Sequence, residues 1–200
     1  MSEGLLEFLN RYASVTADDF NVLMQRVEVK DYGKKVRLTE IGEAEQYMYF
    51  VVKGLTRKFF YKGRDEIITH LVKEGGIIGS AVSFFSGAPS RYIVETIEPC
   101  TLLSVSRNNL EELYRSGNHW ERIGRMMTTH FFLQQEYRHL DNIRFSTKER
   151  FIIFMKDNPD LLQRVPQKYL ASYLNIKPET FSRMKHLLLA KHPVQEKITY

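Results

Sequence analysis

The stretch Gln167–His186, QKYLASYLNIKPETFSRMKH, has the pattern of two short helices joined by a tight corner. Ala171 stands where the two helices would approach closely. Asn175 stands at the corner, and Asn is the residue other than glycine that most readily accepts positive φ. Pro178 suits the first turn of the second helix, because its missing N–H would be unpaired there. The pattern predicts a helix-turn-helix, whose second helix enters the DNA major groove.

Polar and apolar residues are separated along this pair of helices. The apolar set that would close the hairpin is Leu170, Leu174, Ile176, Phe181 and Met184, and the polar set that faces outward is Lys177, Glu179, Thr180, Ser182, Arg183 and Lys185. Arginine can donate to guanine O6 and N7 together, and glutamate can accept from cytosine N4. An ordinary helical corner inside a bundle is the alternative. The polar outer face favours DNA binding over it.

The net charge of +5 is unevenly distributed. Residues 1–144 hold 19 Lys and Arg against 19 Asp and Glu, whereas residues 145–200 hold 10 against 5. A basic segment attached to a neutral one is the expected footprint of a protein that binds the phosphate backbone. The alternative, an incidental basic face, is disfavoured because the surplus lies with the predicted helix-turn-helix.

Composition excludes several other classes of protein. A hydrophobic content of 43% supports a folded core, and no apolar run reaches the roughly 18 residues that span a bilayer. The N-terminal residues lack the pattern of a signal peptide. The single Cys100 excludes an internal disulfide and a four-cysteine iron–sulfur or zinc site. No metal-binding histidine spacing or catalytic motif is present. We therefore expect a reduced, cytoplasmic protein that is not an enzyme.

The region from about Val27 to Val105 has short β-type runs separated by glycine turns. The strand candidates are Tyr47–Lys53, Leu55–Tyr61, Glu66–Val72, Tyr92–Ile97 and Thr101–Val105. Their spacing predicts an antiparallel β-roll. Before this region, residues 3–13 are predicted to be helical, and Thr16 followed by Asp19 predicts the start of a second helix.

Helical patterns return after the β-region. A short helix is predicted to end near Gly117, and a long helix is predicted from His119 to Arg144. One side of the long helix carries Trp120, Ile123, Met127, His130, Phe131, Gln134, Tyr137 and Asp141. So long a stripe favours packing against a partner helix. One alternative is that the stripe packs on the β-region. The other is that one face of the helix packs on the β-region and another face packs on the partner helix.

Ser146 and Glu149 have the spacing of a capping box, which predicts a new helix from Thr147 to about Asp157 and a hinge at residues 145–146. The predicted organisation is an α+β chain with three parts. Residues 1–118 form a sensing β-roll with flanking helices, residues 119–145 form a long dimerisation helix with the hinge, and residues 146–200 form the helix-turn-helix domain.

This order of parts resembles the Crp/Fnr family of bacterial transcription regulators. The resemblance is strongest over residues 149–189, and it is also clear in YMYFVVKGLTRKFFYKGRDE, which is similar to the family's β-roll hairpin with its central glycine. It implies a cyclic-nucleotide-binding-like β-roll, a winged helix-turn-helix, a homodimer joined along the long helix, and a roughly palindromic operator in double-stranded DNA. RNA polymerase is a further partner that it implies.

Matched to the family, Glu179 and Arg183 correspond to base-reading residues, and Thr180 corresponds to a phosphate contact. Pro178 stands where the family often has an arginine, so the operator is expected to differ from the best-known family consensus. The predicted contacts to backbone phosphates are Gln167, Lys168, Lys185 and His186.

The sensing part departs from the family members that bind cyclic AMP. Gly79 is followed by Ser80 in place of the glutamate that holds the ribose, and Ser90–Arg91 reverses the order of the arginine–serine pair for the phosphate. A serine cannot replace a carboxylate that accepts two hydrogen bonds, so cyclic AMP is not the expected effector. The predicted site for another small anion consists of Gly79, Ser80, Ser83, Ser86, Ser90 and Arg91. The resemblance also places Gln135 and Glu136 near the positions that contact the base of the bound nucleotide in the family. A cassette that no longer binds any ligand is the alternative.

The leading hypothesis is therefore a DNA-binding regulator whose effector shifts the long helices. One alternative is a ligand-sensing module that acts on a partner protein. Another is a DNA-binding regulator without an effector. The sequence identifies no cofactor.

Overall fold

The computed structural model describes the backbone of residues 2–191 and the side chains of residues 4–186. The chain divides into two compact units, and the division falls between Gln135 and Glu136. Both residues belong to the same long helix, so this helix contributes to both units.

Two four-stranded antiparallel sheets form the N-terminal unit. The strands are β1 Val27–Tyr32, β2 Arg37–Thr39, β3 Tyr47–Lys53, β4 Thr56–Lys62, β5 Asp65–Val72, β6 Ile77–Ile78, β7 Ile93–Thr96 and β8 Cys100–Ser106. One sheet has the order β1-β8-β3-β6, and the other has the order β2-β7-β4-β5. The five predicted strands are confirmed within about two residues at their ends. β1, β2 and β6 were not predicted as separate strands, because they are short or alternate with charges.

Gly54 makes the tight connection between β3 and β4 possible. Its φ is +99°, and a Cβ at this position would lie 2.6 Å from the Pro99 carbonyl oxygen and from Cys100 Sγ. Only glycine combines positive φ with so close an approach to the neighbouring backbone. The central glycine of the predicted hairpin is thus confirmed.

Five helices belong wholly or partly to this unit: α1 Ser2–Asn10, α2 Ala17–Met24, α3 Ala81–Ser86, α4 Arg107–Arg115 and α5 Asn118–Arg144. The predicted start of α2 is confirmed and is a capping box, because the Thr16 hydroxyl accepts from the Asp19 N–H and the Asp19 carboxylate accepts from the Thr16 N–H. The Thr16 hydroxyl also donates to the Asp19 carboxylate at 2.7 Å, and this hydrogen bond, together with the one from the Thr16 N–H, lowers the pKa of Asp19. The helices cover one sheet through a core that includes Phe8, Phe50 and Leu103.

The predicted partner-facing stripe of α5 is divided between two faces. Trp120 and Ile123 are buried in the core of their own unit, and Met127 and Phe131 pack against it. The start of the stripe therefore packs on the β-roll, which was the first alternative to a partner helix. On the later part of the helix, Tyr137 of the predicted stripe is exposed, together with four apolar side chains that the stripe did not include: Phe132, Leu133, Leu140 and Ile143.

The C-terminal unit contains the end of α5 followed by α6 Thr147–Asp157, α7 Leu161–Arg164, α8 Gln167–Tyr173 and α9 Pro178–Lys191. The predicted capping box at Ser146 and Glu149 is confirmed. Residues 136–191 form helices and turns in the part of the chain that the structure describes. The predicted wing would follow α9, at residues that lie outside the described part.

Candidate nucleic-acid interface and sensor cassette

The corner between α8 and α9 has the geometry that the sequence predicts. Asn175 has a φ of +56°, and the Ile176 N–H donates to the Ala171 carbonyl oxygen at 2.9 Å. Ala171 is fully buried, so the corner closes over a side chain that is only a methyl group. Pro178 is the first residue of α9, where a missing N–H costs nothing.

The inner side of the helix-turn-helix is a small aromatic core. Phe181 is fully buried and packs edge-to-face on Phe151 of α6, with 5.2 Å between ring centroids. Leu170 and Val165 are buried beside it. This core orients α9, because the residues between its buried positions must point outward.

The predicted DNA-contacting residues lie on the outer surface of the C-terminal unit. Gln167, Lys168, Lys177, Glu179, Arg183 and His186 are exposed, and Thr180, Ser182 and Lys185 are half-buried. Glu179 and Arg183 lie one helical turn apart, on one face of α9. Neither forms an ion pair with another described residue, so both are free to meet a ligand.

The structure brings together three serines of the predicted effector site, whereas Ser86 and Arg91 are exposed. We call residues 79–91, with α3 at their centre, the cassette. Ser80, Ser83 and Ser90 are buried, and the Ser90 hydroxyl donates to the Ser80 hydroxyl at 2.8 Å. These two positions, where the family members that bind cyclic AMP hold their ligand, thus contact each other. Arg91 is exposed.

Glu45 completes the cassette, and sequence reasoning missed it. Its side chain is buried, and its Oε2 accepts from the Thr39 hydroxyl at 2.5 Å and from the Ser80 N–H at 3.1 Å. The Glu45 N–H donates to the Ser83 hydroxyl at 2.9 Å. No local pattern marks Glu45, because its partners are as much as 38 residues away in the sequence.

The Glu45 carboxylate lies at the start of α3, where an anionic ligand was predicted to bind. This carboxylate accepts from the N–H of Ser80, the residue that precedes α3, so a negative charge already lies at this helix start. Ser80 stands where the resemblance expects a glutamate, and Arg91, the arginine of the cassette, is exposed.

Lys58 of β4 contacts the start of the cassette, and Gln135 of α5 contacts the neighbouring strand β5. Lys58 Nζ is 3.4 Å from the Gly79 carbonyl oxygen and 5.3 Å from the centre of the Tyr92 ring. Gln135 Nε2 of α5 is 3.2 Å from His70 Nε2 of β5. Gln135 therefore contacts strand β5 of the β-roll. Glu136, the weaker candidate, is exposed.

Arg57 is the most deeply buried arginine on the sheets, and its partners are acidic. It is 3% exposed, and its guanidinium pairs with Glu95 at 2.7 Å and with Glu66 at 2.8 Å. Two carboxylates around one guanidinium leave little attraction for a further anion. This cluster therefore orders the sheet β2-β7-β4-β5.

The cassette is connected to α5 through α4. Arg107, the first residue of α4, donates to the carbonyl oxygens of Ser83 and Phe84 at the end of α3. Tyr114 of α4 packs against α5 so closely that a Cβ on Gly124 would lie 2.4 Å from the Tyr114 hydroxyl. Burial raises the pKa of Tyr114. A displacement of the cassette would therefore reach α5 through packed atoms.

The described residues contain neither a metal-binding cluster nor a membrane-spanning helix. No group of three His, Cys, Asp or Glu side chains among residues 4–186 could hold a metal ion. Within the described residues, none of the helices has the length and apolar composition needed to span a membrane.

Residues 29–116 match the family model of the cyclic nucleotide-binding domain. Among solved structures, the chain is similar to CLP, described as a c-di-GMP responsive global regulator in Xanthomonas campestris, with 16% identity, coverage of 88% of this chain and 93% of that chain, and a TM-score of 0.67. It is also similar to FixK2 from Bradyrhizobium japonicum, with 20% identity, coverage of 82% of this chain and 85% of that chain, and a TM-score of 0.69. A third similar structure is the catabolite activator protein of Thermus thermophilus, with 18% identity, coverage of 92% of this chain and 87% of that chain, and a TM-score of 0.57. No curated protein matches the chain by sequence.

At these identities the likeness to solved structures shows the fold. The matched domain and the fold together confirm the predicted resemblance to the Crp/Fnr family and the α+β fold class, with antiparallel sheets, flanking helices and one long helix.

Proposed function

We propose that the chain is a sequence-specific DNA-binding transcription regulator of the Crp/Fnr type. The observation that carries this proposal is the outer face of α9, where Glu179 and Arg183 are exposed and unpaired one turn apart. These two side chains can contact base edges in the major groove. The basic surplus of residues 145–200 supplies the attraction to the phosphate backbone.

Selection of an operator from random duplex DNA tests this proposal. The wild-type chain is expected to select a roughly palindromic sequence, and Glu179→Ala with Arg183→Ala is expected to lose preference at the contacted base pairs. The matched control is Lys156→Ala with Asp157→Ala, which also removes one cation and one carboxylate from exposed positions of the same unit. Equal preference in both double variants would contradict base reading by α9.

We propose that the regulator is a homodimer joined along α5. The support is the exposed apolar set on its later part, where Leu133 is 46% exposed, Leu140 is 49% exposed and Ile143 is 72% exposed. Leu133 and Leu140 are seven residues apart, which is the spacing of a coiled-coil seam. An isologous pair of such helices gives the two-fold symmetry that a palindromic operator requires.

Sedimentation velocity tests the dimer. Leu140→Glu places a carboxylate in the seam and is expected to raise the dimer dissociation constant at least tenfold. Thr128→Glu is the control, because Thr128 is exposed and lies about 120° around the helix from Leu140. A similar effect of both substitutions would contradict this interface.

We propose that a small-molecule effector other than cyclic AMP binds in the β-roll. The proposed site comprises Gly79, Ser80, Ser83, Ser90, Arg91 and Gln135, with Lys58 beside Gly79. CLP is described as responsive to c-di-GMP, so the fold has a precedent for such an effector. Binding would shift the equilibrium between two arrangements of α5 through α4.

A thermal-shift screen tests the effector, since a ligand that binds only the folded chain raises its Tm. Cyclic AMP is expected to leave the Tm unchanged. A rise in Tm with micromolar cyclic AMP would contradict the interpretation of Ser80. If no cyclic nucleotide or other small anion raises the Tm, the chain is a regulator without an effector of this class.

A further inference from the structure

The C-terminal unit contains a cleft of about 370 Å³ that no proposed function uses. Six residues line it: Arg138, Asn142, Arg150, Tyr173, Leu174 and Asn175. They come from the end of α5, from α6 and from the corner of the helix-turn-helix. We call this site the corner cleft. The base-reading side chains Glu179 and Arg183 are not part of its lining.

The side chains of the corner cleft are cationic or neutral. The Arg138 guanidinium lies 4.6 Å from the centre of the Tyr173 ring, which restrains its orientation. Arg150 Nη1 donates to Asn142 Oδ1 at 2.6 Å. Because this oxygen is occupied, the Asn142 amide has its N–H groups left to offer to a ligand. No carboxylate lines the cleft.

The charges of the two arginines are not neutralised within the described residues. Neither Arg138 nor Arg150 forms an ion pair there. In addition, the Nε–H of Arg150 is buried and makes no hydrogen bond within that part of the chain. A buried charged donor without a partner costs free energy.

We propose that the corner cleft binds a phosphate group carried on a larger molecule. Guanidinium groups match phosphate oxygens with paired, charge-assisted hydrogen bonds. A volume of about 370 Å³ lies in the range of small-molecule sites, and it exceeds what a bare phosphate fills. The phosphate belongs either to a free phosphate ester or to the DNA backbone, and these sources are distinguishable. This inference goes beyond base reading and does not depend on it.

Isothermal titration of the 200-residue chain tests whether the cleft binds a free phosphate ester. The probes are inorganic phosphate and glycerol 3-phosphate, with chloride holding the ionic strength constant. Arg138→Gln with Arg150→Gln is expected to weaken binding of glycerol 3-phosphate at least tenfold. Arg122→Gln with Arg125→Gln is the control, since it removes two exposed arginines of α5 outside the cleft.

The salt dependence of binding to random-sequence duplex DNA tests whether the cleft binds a phosphate of the DNA backbone. The slope of log K against log salt is about −0.9 for each phosphate contacted. Relative to the control variant, the cleft variant is expected to lose about one unit of slope if the cleft holds a backbone phosphate. Both variants lose the same net charge, so a difference between them reports a local contact.

Either result supports the corner cleft as a phosphate site and identifies the source. The proposal is overturned if the cleft variant and the control variant agree in both measurements. Circular dichroism checks that the cleft variant is folded. Should it unfold, Arg138→Lys with Arg150→Lys keeps the charge while removing the paired geometry, and binding weaker than wild type is again expected. A chain that fails operator selection but binds glycerol 3-phosphate would contradict base reading and leave this inference intact.

Discussion

The cassette and the helix-turn-helix are both short polar segments. The polar groups of the cassette form hydrogen bonds inside the protein, whereas those on α9 are exposed to solvent. In the cassette, the hydroxyls of Ser80 and Ser90 bond to each other, and Glu45 accepts the Ser80 N–H. On α9, Glu179 and Arg183 are exposed and have no ion-pair partner among the described residues. Polar groups that are already satisfied inside the protein have less to offer a ligand.

This difference shows that residue type alone does not identify a binding site. The predicted effector site and the predicted DNA-contacting face were both chosen for their polar side chains. Only the structure shows which side chains are satisfied by neighbours. The comparison favours α9 as the surface that is ready to bind, whereas the cassette must exchange internal hydrogen bonds for ligand contacts.

The largest expected effect tests whether the inner core of the helix-turn-helix holds its outer face in place. Phe181→Ala removes a fully buried ring that packs on Phe151. We expect the C-terminal unit to lose about 3–5 kcal/mol of unfolding free energy. Urea unfolding followed by circular dichroism measures it, with Phe181→Leu as the milder control. A loss below about 1 kcal/mol would show that this core does not orient α9.

The next prediction tests whether the cassette is internally satisfied. Glu45→Ala leaves the Thr39 hydroxyl and the Ser80 N–H without their acceptor. We expect a loss on the order of 2–4 kcal/mol in the free energy of unfolding. Glu43→Ala is the control, because Glu43 is exposed in the same loop. Similar losses in urea unfolding for the two variants would contradict the role given to Glu45.

A smaller effect is expected when the family's glutamate is restored in the cassette. Ser80→Glu adds a second carboxylate beside Glu45 at a position that is 2% exposed. We expect a loss of about 1–3 kcal/mol and no binding of cyclic AMP. Adding Glu45→Gln should recover part of the loss, because it removes the repulsion between the carboxylates. Additive effects of the two substitutions would show that the side chains do not meet.

The smallest effect concerns the hinge before α6. Hydrogen bonds from the Ser146 hydroxyl and N–H lower the pKa of Glu149. The stabilisation is complete above the ordinary pKa of glutamate and is lost as the pH falls through the lowered pKa. The Tm of the wild type should therefore exceed that of Glu149→Gln near neutral pH, and the difference should shrink below about pH 4. A difference that does not change with pH would contradict this capping role.

Sequence reasoning located local features well, because their causes lie within a few residues. The strand Tyr47–Lys53, the capping box at Ser146 and the positive φ of Asn175 were all predicted. It missed Glu45 because the partners of this residue come from distant segments of the chain. It also assigned the start of the α5 stripe to a partner helix, since periodicity shows that a face is apolar but not what covers it.

The most direct test of base reading by α9 is a double-mutant cycle between a side chain and a base pair. The affinity of the wild type and of Arg183→Ala would be measured for the selected operator and for an operator changed at one guanine. We predict a coupling of about 1–3 kcal/mol at a single position in each half-site. Coupling within about 0.5 kcal/mol of zero at every position would contradict the claim that Arg183 reads a base.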